Sequence, residues 1–297
     1  MARCSPEEKV MKKVLVMFFW LSLFLVVLGK IDILSAKDKY TFAMLPQITQ
    51  SKVTACWQPL LDYIQQNAGI TIEFVFPKNF EEHVKLCAEG KVDFAYSNPI
   101  TYIQMAVSGE RKTGHIVIAE AKSKNGFFGQ FIIRKDSEIK KFEDIKGKKG
   151  MIVGWDSAGG YVFQQAYAIS KGFDLKKDCE LSVTEDNKQE KVILNVISKK
   201  ADFGCIRNGM LQKAIELPGI SDIKVLAETP KYPEWLFSHY SELPKDIVEK
   251  VRKALLSIPE DLLKKAALPG EIIGFSTKKD KDLNAIREVA KKVGINY

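Results

Sequence analysis

The sequence has few of the residues and motifs that catalytic and metal centres require. Its 297 residues include only three histidines, His83, His115 and His239, and none of these has the spacing of an HExxH-type metal motif. No Walker-type P-loop or glycine-rich dinucleotide fingerprint is present. The nearest match to a serine-nucleophile elbow fails, because Gly154 stands three residues before Ser157 instead of two. We therefore expect a binding protein without a metal or a cofactor, and not an enzyme.

Positive charge is in slight excess but is not concentrated. The chain has 45 Lys and Arg against 37 Asp and Glu, a formal net charge of +8. Lysines and acids are interspersed, with no arginine-rich run or basic–aromatic stripe, so we do not expect a nucleic-acid partner. A mild positive balance suits a small anionic ligand, although a solvated lysine-rich surface explains it equally well.

Paired cysteines are also absent. Cys4 lies in the N-terminal segment, and Cys56, Cys87, Cys179 and Cys205 stand far apart without a CxxC pair or a metal-ligand spacing. We expect four reduced, buried thiols. A Cys56–Cys87 disulfide is the alternative, since both residues fall on predicted helices of one lobe and an exported protein can be oxidised.

The first 36 residues have the pattern of a secretory signal peptide. A basic pair, Lys12–Lys13, precedes the apolar run Val14–Gly29, and Ser35–Ala36 offers small residues for cleavage. The run is short for a membrane span, which needs about 20 apolar residues. Lys37 occupies the place of the lipidated cysteine of a lipoprotein, so we expect export to the periplasm without a lipid anchor. An uncleaved N-terminal anchor is the alternative.

From residue 40 onward, strands alternate with helices, a pattern typical of a parallel, doubly wound α/β sheet. The chain is long enough for two such lobes, and ligands of open α/β sheets bind at the carboxyl ends of the strands. The predicted strands are 40–45, 71–76, 93–96, 116–121, 127–134, 151–153, 179–183, 202–206 and 224–228. The predicted helices are 53–67, 80–89, 100–107, 161–171, 190–199, 210–216, 245–257, 261–267 and 280–293.

The stretch Gly150–Gly172, GMIVGWDSAGGYVFQQAYAISKG, is a candidate anion site. A buried strand is expected to end near Val153 and to turn through Trp155–Gly160 into a helix that Gly172 terminates. Such a turn leaves several backbone N–H groups unpaired, and the helix dipole adds partial positive charge there. In the alternative interpretation this is an ordinary strand-to-helix turn in which Ser157 only caps the helix.

Five segments, in this order and spacing, resemble the solute-binding proteins of phosphonate, phosphite and phosphate ABC importers. They are TACWQPLLDYIQQNAGI (54–70), EGKVDFAYSNPITYI (89–103), FEDIKGKKGMIVGWDSAGGYVFQ (142–164), KKADFGCIRNG (199–209) and YPEWLFSHYSELPKDIVEKVRKALLSI (232–258). The resemblance implies a type II periplasmic-binding-protein fold, in which two doubly wound α/β lobes are joined by two hinge strands. The expected bounds are a signal peptide at 1–36, lobe 1 at 37–118 and 226–297, lobe 2 at 119–225, and hinges near 116–121 and 224–228.

The resemblance also implies a ligand site between the lobes. The family's Ser-Thr-Ser-Gly turn falls on Ser157–Gly160, where only Ser157 keeps a hydroxyl, so binding would rest mainly on backbone amides. Tyr96 would offer its phenol, Asn98 would lie at a helix N-terminus, and Glu190 keeps the acid of a His-Glu pair. The expected ligand-binding residues are Pro46, Gln47, Tyr96, Asn98, Ser157, Ala158, Gly159, Gly160, Tyr161, Glu190 and Arg207.

Arg207 departs from the family, in which many members place an aspartate at this position, facing the cleft. An arginine reverses the charge and can form paired hydrogen bonds with a carboxylate or a phosphate. If Arg207 reaches the cleft, the ligand should be more fully anionic, or carry a carboxylate rather than an amine. Alternatively, Arg207 pairs with a neighbouring acid such as Glu190 or Asp186, or points to solvent.

Three hypotheses for function follow from these features. The first is an exported, monomeric solute-binding protein that captures a small phosphonate-, phosphite- or phosphate-like oxyanion and delivers it to an ABC transporter permease. The second is a ligand-sensing module of the same fold, held at the membrane by an uncleaved N-terminal segment. The third is an enzyme with Ser157 as its nucleophile, for which the sequence offers no acid–base partner.

Overall fold

Strands and helices alternate along the part of the chain that the structure describes. The computed structural model describes residues 39–109 and 111–297, and the predicted signal peptide, 1–36, lies outside them together with its cleavage site. Among the described residues, no helix combines the length and the apolar character needed to cross a membrane. The strands are β1 (Lys39–Met44), β2 (Thr71–Phe74), β3 (Phe94–Ser97), β4 (His115–Ser123), β5 (Gly129–Arg134), β6 (Lys149–Ile152), β7 (Glu180–Val183), β8 (Phe203–Arg207), β9 (Ile223–Glu228), β10 (Leu236–Tyr240) and β11 (Ile272–Thr277). The helices are α1 (Gln50–Ala68), α2 (Phe80–Ala88), α3 (Pro99–Met105), α4 (Phe163–Ser170), α5 (Leu175–Asp178), α6 (Gln189–Ile197), α7 (Met210–Lys213), α8 (Lys245–Leu256), α9 (Glu260–Ala266) and α10 (Asn284–Lys292).

The strands form two mixed sheets. The six-stranded sheet has the order β11-β4-β10-β3-β1-β2, and the five-stranded sheet has the order β7-β6-β8-β5-β9. β1 runs parallel to β2 and β3, and β6 runs parallel to β7 and β8. β4, β10 and β11 are antiparallel to their neighbours, as is β5 to β8 and β9. The prediction of parallel sheets is therefore wrong for these strands, because no crossover helix links them to their neighbours and imposes a parallel direction.

The chain passes between the sheets at two connections without regular structure. It leaves the six-stranded sheet at residues 124–128, between β4 and β5, and returns at residues 229–235, between β9 and β10. We call these the first and second crossing segments. β4 belongs to the six-stranded sheet as far as Ser123. The lobe bounds 37–118, 226–297 and 119–225 stay a prediction.

Two strands were not predicted from the sequence. After residue 228 only helices were predicted, at 245–257, 261–267 and 280–293, yet the region also contains β10 and β11. β10 lies inside the six-stranded sheet, and four of its five residues are buried. It therefore lacks the alternation of apolar and polar residues that marks a half-exposed strand.

Trp57 is fully buried and packs in the core against the six-stranded sheet. Its ring lies 4.5 Å from the Phe42 ring and 4.8 Å from the Tyr96 ring, measured between centroids. This packing holds Tyr96 in place near the end of β3. The residues of α1 that are buried with Trp57 recur at helical spacing: Val53, Leu60, Leu61, Ile64 and Ala68.

The four cysteines of the described residues are free thiols. The alternative Cys56–Cys87 disulfide is therefore not formed. Cys87 and Cys205 are buried as expected, whereas Cys56 and Cys179 are partly exposed. The expectation of four buried thiols is wrong for these two.

Two histidines are buried and neutral. Nε2 of His115 donates to the carbonyl oxygen of Val92 at 3.0 Å, and its Nδ1 accepts from the Ser238 hydroxyl at 3.0 Å. Nε2 of His83 lies 2.8 Å from Oγ of Ser97. Burial lowers the pKa of both rings from 6.5 to about 3. These histidines are structural and lie outside the candidate site described below.

Acid should destabilise the folded protein through these two histidines. The unfolded chain binds protons on both rings below pH 6.5, and the folded protein does so only near pH 3. The stability they contribute is therefore present above pH 6.5 and is lost as the pH falls, by about 1.4 kcal/mol per pH unit for each ring. Urea denaturation between about pH 6 and 4.5 measures this slope. His115→Gln should reduce the slope by about 1.4 kcal/mol per pH unit, and an unchanged slope would contradict the assignment.

Candidate functional site

The carboxyl ends of β3 and β8 meet the two crossing segments at one place, which we call the Arg207 site. β3 contributes Tyr96 and β8 contributes Arg207. The first crossing segment contributes Phe127, and the second contributes Glu234 and Trp235. The carboxyl ends of strands are where open α/β sheets bind their ligands. The site therefore lies where this architecture favours binding.

Arg207 is enclosed by the protein. Only 1% of its surface is exposed, and its Nη2 lies 3.4 Å from Oε1 of Glu234, which is also buried. Its guanidinium carbon lies 4.6 Å from the centre of the Phe127 ring and 5.7 Å from the centre of the Trp235 ring. Both distances are within the range at which a cation is attracted to an aromatic face. One arginine of the five-stranded sheet thus contacts both crossing segments.

The acid that pairs with Arg207 is not one that the sequence suggested. Glu190 lies 2.5 Å from Nζ of Lys52, and Asp186 lies 3.0 Å from Nζ of Lys191. Arg207 does not point to solvent either. The expected alternatives were right that an acid pairs with Arg207, but wrong about which acid.

Two donors of the Arg207 site have no acceptor among the described residues. They are the Nε–H of Arg207 and the Nε1–H of Trp235, and both are buried. A buried donor without a partner costs about 1–3 kcal/mol, so folded proteins satisfy nearly all of them. Each of these two N–H groups can donate a hydrogen bond to an acceptor placed beside it.

Glu234 is held by backbone and side-chain contacts around the carboxylate. Its Oε2 accepts the N–H of Trp235 at 2.9 Å, and its own N–H donates to Oε1 of Glu120 at 2.7 Å. Glu120 in turn forms an ion pair with Lys278 at 2.6 Å. Burial raises the pKa of Glu234, and the charge of Arg207 and the Trp235 N–H oppose this rise without cancelling it. The carboxylate is thus fixed next to Arg207 by the fold itself.

Tyr96 supplies a hydroxyl that stays protonated. Its ring packs 5.2 Å from the Trp235 ring and 6.3 Å from the Phe275 ring. Burial raises the pKa of Tyr96, the negative charge of Glu234 raises it further, and Arg207 opposes both. At neutral pH the hydroxyl can therefore donate a hydrogen bond.

The turn after β6 approaches Arg207 closely because it carries glycine at position 159. A Cβ at Gly159 would lie 2.7 Å from Cβ of Arg207 and 2.8 Å from the Phe127 ring. Buried Gln164 ties this turn to the sheet. Its Nε2 donates to the carbonyl oxygens of Gly159, at 2.7 Å, and of Ile206, at 3.0 Å. The turn is thus positioned by a close backbone approach and one amide side chain.

Ser157 does not serve as a helix cap. It stands at the N-cap position, but its side chain makes no capping hydrogen bond, so the expected capping role of its hydroxyl is wrong. The segment Ala158–Val162 forms a π-helical turn that continues into α4. The helical conformation thus starts at Ala158 rather than at the predicted Tyr161. Because the first N–H groups of a helix lack intrahelical acceptors, Ala158–Gly160 present their backbone amides beside the buried Ser157 hydroxyl.

Asn98 and Tyr161 use their side chains within the fold. Asn98 caps α3, since its Oδ1 accepts the Thr101 N–H and its Nδ2 donates to the Thr101 hydroxyl, each at 2.9 Å. The Tyr161 ring lies edge-on to Trp155, with centroids 5.0 Å apart. Burial raises the pKa of the Tyr161 hydroxyl.

Pro46, Gln47 and Glu190 lie at a separate contact, between the start of α1 and the start of α6. The carbonyl oxygen of Pro46 accepts from Nζ of Lys188 at 2.5 Å, and Gln47 is buried beside it in the chain. Glu190 pairs with Lys52, and 30% of its side chain is exposed. The structure therefore brings Tyr96 and the 157–160 turn to Arg207 but gives Glu190 a different partner.

Sequence reasoning missed several residues of the Arg207 site. Phe127, Glu234 and Trp235 lie on the crossing segments, and Gln164 lies on α4. One feature of the sequence could have identified Glu234: it is the only charged residue in the run Tyr232–Ser238. A charged residue inside such a run is buried only when it has a partner.

The described residues contain no cluster of three or more His, Cys, Asp or Glu side chains that could hold a metal ion. The donors of the Arg207 site are instead N–H and O–H groups, which suit an acceptor such as an oxyanion.

The family model for periplasmic substrate-binding proteins of phosphonate ABC transporters matches residues 42–283. The chain belongs to this family. Its members are substrate-binding proteins of transport systems and not enzymes. The expected periplasmic-binding-protein fold with two α/β sheets is confirmed by solved structures of the same fold.

Three relatives show the range of the similarity. The phosphate-import protein PhnD of Mycolicibacterium smegmatis is 28% identical over 137 residues, 46% of this chain and 43% of that protein. The tetrathionate sensor histidine kinase TtrS of Salmonella typhimurium is 20% identical over 241 residues, 74% of this chain and 40% of that protein. The chain thus spans less than half the length of either curated relative. PhnD1 of Prochlorococcus marinus, solved in complex with methylphosphonate, has a similar fold, with a TM-score of 0.76, 13% identity, and coverage of 86% of this chain and 98% of that chain.

Removing Arg207 alone should destabilise the protein more than removing Arg207 and Glu234 together. Arg207→Met leaves a buried carboxylate unpaired, which should cost about 3–5 kcal/mol. Adding Glu234→Gln removes the second charge and should recover most of that loss. Urea denaturation of the single and double variants measures the difference.

The exposed pair Arg252–Glu249 provides the matched control for this prediction, since both side chains are substantially exposed. Arg252→Met should change the free energy of unfolding by less than about 1 kcal/mol. Equal destabilisation by Arg207→Met alone and by the double substitution would show that the two buried charges are not coupled.

Proposed function

We propose that this protein is exported to the periplasm, captures a small phosphorus oxyanion between two lobes and delivers it to the permease of an ABC importer. The observation that carries this proposal is a pair of buried donors, on Arg207 and Trp235, that lack acceptors among the described residues, together with the close approach of Gly159 in the 157–160 turn to Arg207. Family membership supports the transport role. We expect a monomer with no nucleic-acid partner.

An oxyanion in the Arg207 site would meet three kinds of donor. The first are the Nε–H of Arg207 and the Nε1–H of Trp235. The second are the amides of Ala158–Gly160, where the positive end of the helix dipole adds to the attraction. The third are the hydroxyls of Tyr96 and Ser157. Donors fixed by the fold before binding cost little reorganisation, which favours affinity.

The Arg207–Glu234 pair sets the charge that the ligand meets. Because Glu234 offsets the charge of Arg207, attraction to an anion comes from oriented donors and not from an unpaired cation. Glu234 also offers an acceptor to a ligand oxygen that carries a proton. Arg207 already occupies the faces of Phe127 and Trp235 that an ammonium group would use. The ligand is therefore an oxyanion without an amine in this part of the site.

Closure of the proposed lobes, 37–118 with 226–297 against 119–225, would complete the site. Arg207 belongs to the five-stranded sheet, yet its partners lie on the crossing segments. The Lys52–Glu190 pair joins α1 to α6 and so adds a second contact between the elements of the two sheets. Movement at the crossing segments would break the contacts of Arg207 with those segments and, at the same time, the Lys52–Glu190 pair.

Calorimetric titration with methylphosphonate, phosphite and phosphate should show one-to-one binding of at least one of them. Arg207→Lys keeps the charge but removes the Nε–H from its place, and should weaken binding about 10- to 100-fold. Arg252→Lys, at an exposed arginine, should leave the affinity unchanged. If a folded protein gives no heat with any of the three compounds, the phosphorus-oxyanion proposal is wrong.

A second candidate function is a ligand-sensing module of the same fold. The similarity to the Salmonella sensor histidine kinase, over 74% of this chain, favours it. The two candidates differ in the fate of residues 1–36. Mass spectrometry of the protein from its native host should find a mature N-terminus near Lys37 if the protein serves transport. An intact N-terminus in the membrane fraction would favour the sensing module.

A further inference from the structure

Four consecutive residues between β7 and β8 each bind a different part of the chain. They are Asn187, Lys188, Gln189 and Glu190, at the start of α6, and we call them the clasp. The clasp connects strands of the five-stranded sheet, yet three of its residues bind elements that connect strands of the six-stranded sheet. The clasp is therefore a non-covalent junction between the elements of the two sheets.

Asn187 contacts elements of both sheets with one side-chain amide. Its Oδ1 accepts the backbone N–H of Phe80, at the start of α2, at 3.3 Å. Its Nδ2 donates to the carbonyl oxygen of Val153, which follows β6, at 3.1 Å. The φ angle of Asn187 is 58°, in the left-handed region that asparagine tolerates better than most residues other than glycine. The backbone thus has an uncommon conformation at the residue whose side chain joins the two sheets.

Lys188 and Glu190 bind the part of the chain that follows β1. Nζ of Lys188 donates to the carbonyl oxygen of Pro46 at 2.5 Å, and Glu190 pairs with Lys52 of α1. Lys188 is half-buried, and burial lowers its pKa. Because an amino group that is partly removed from water needs an acceptor, the bond to Pro46 belongs to the packing of the two sheets and is not an incidental surface contact.

Gln189 ties the clasp to the Arg207 site. Only 3% of its surface is exposed, and its Oε1 accepts the backbone N–H of Arg207 at 3.1 Å. The clasp and the end of β8 are thereby held together. The contacts of the clasp with elements of the six-stranded sheet therefore also fix the position of Arg207 relative to Glu234.

A solute can reach the donors of Arg207 and Trp235 only if the protein opens. Arg207 is 1% exposed and Trp235 is 2% exposed. The two crossing segments join the sheets covalently, so they can bend but cannot separate. The contacts of the clasp are hydrogen bonds and an ion pair, which can break and form again.

We propose that the clasp controls access to the Arg207 site: its contacts with the elements of the six-stranded sheet break to admit a solute and form again behind it. Gln189 is a positioning residue in this arrangement, since it acts through the backbone of Arg207. The inference goes beyond the proposed function, because it concerns how the site opens and does not depend on which anion binds. Each hydrogen bond removed between the clasp and the six-stranded sheet should raise the open population about fivefold.

Hydrogen–deuterium exchange of the full folded chain, resolved to single amides, measures this opening without a ligand. Asn187→Gly removes one hydrogen bond between the sheets and keeps the left-handed backbone, which glycine adopts freely. Adding Lys188→Ala removes a second. We expect the amides of Arg207 and Trp235 to exchange about fivefold faster in the single variant and about 25-fold faster in the double variant.

The double substitution Lys199→Gly and Lys200→Ala is the matched control. Lys199 also has a left-handed φ angle, of 59°, and both lysines are exposed. The ion-pair partner of Lys199 is Asp136, which follows β5 of the same sheet. The amides of Arg207 and Trp235 should therefore exchange in this control at the rate of the unaltered chain. The amides of β10, inside the six-stranded sheet, should exchange at one rate in all variants.

The outcomes separate this inference from the proposed function. If the amides of Arg207 and Trp235 exchange no faster in the clasp variants than in the control, the clasp does not close the site and the inference is wrong. If the amides of β10 are accelerated to the same extent, the substitutions weaken the whole fold, and the inference is also wrong. Neither result bears on which anion binds, and a failure to bind phosphonates leaves the role of the clasp in place.

Discussion

The buried ion pair between Arg207 and Glu234 is the interaction on which the site depends. Each charge costs several kcal/mol to remove from water, and their mutual attraction offsets this only with additional contacts. The two crossing segments supply those contacts, as aromatic faces for the guanidinium and a backbone N–H for the carboxylate. Gly159 and Gly270 are required by the same arrangement, since a Cβ at either would collide with Arg207. The burial of the Arg207 charge thus explains why an acid and two aromatic rings surround it and why positions 159 and 270 are glycine.

The position of this pair connects the Arg207 site with the arrangement of the two sheets. Arg207 belongs to β8, and Glu234 belongs to the segment that returns the chain to the six-stranded sheet. The pair therefore forms only when β8 and the second crossing segment are in contact. An oxyanion that accepts the free Nε–H of Arg207 would stabilise the same contact, so binding and closure would favour each other.

The parts of the site that depend on local pattern could be predicted from the sequence. Tyr96 and Arg207 end strands, and Gly159 lies in a strand-to-helix turn, all of which hydrophobic pattern and turn residues locate. Glu234 and Trp235 could not be placed, because they lie on an irregular connection and precede β10, whose burial hides its period. A contact between residues that are far apart in the chain cannot be predicted from the sequence pattern around either residue.

The outcome for Glu190 shows the same limit. The sequence places it at a helix start, which is correct, since it is the second residue of α6. Its partner depends on which helix faces that start, and the fold brings Lys52 of α1 there. The chemistry of the residue was therefore predictable, whereas its neighbour was set by tertiary packing.

A crystal structure of the protein with methylphosphonate tests most directly whether Arg207 binds the ligand. We predict that phosphonate oxygens lie within hydrogen-bond distance of Nε of Arg207 and of the backbone amides of Ala158–Gly160, with the Arg207–Glu234 pair intact. A bound phosphonate elsewhere in the protein, with Nε of Arg207 still lacking an acceptor, would contradict this assignment.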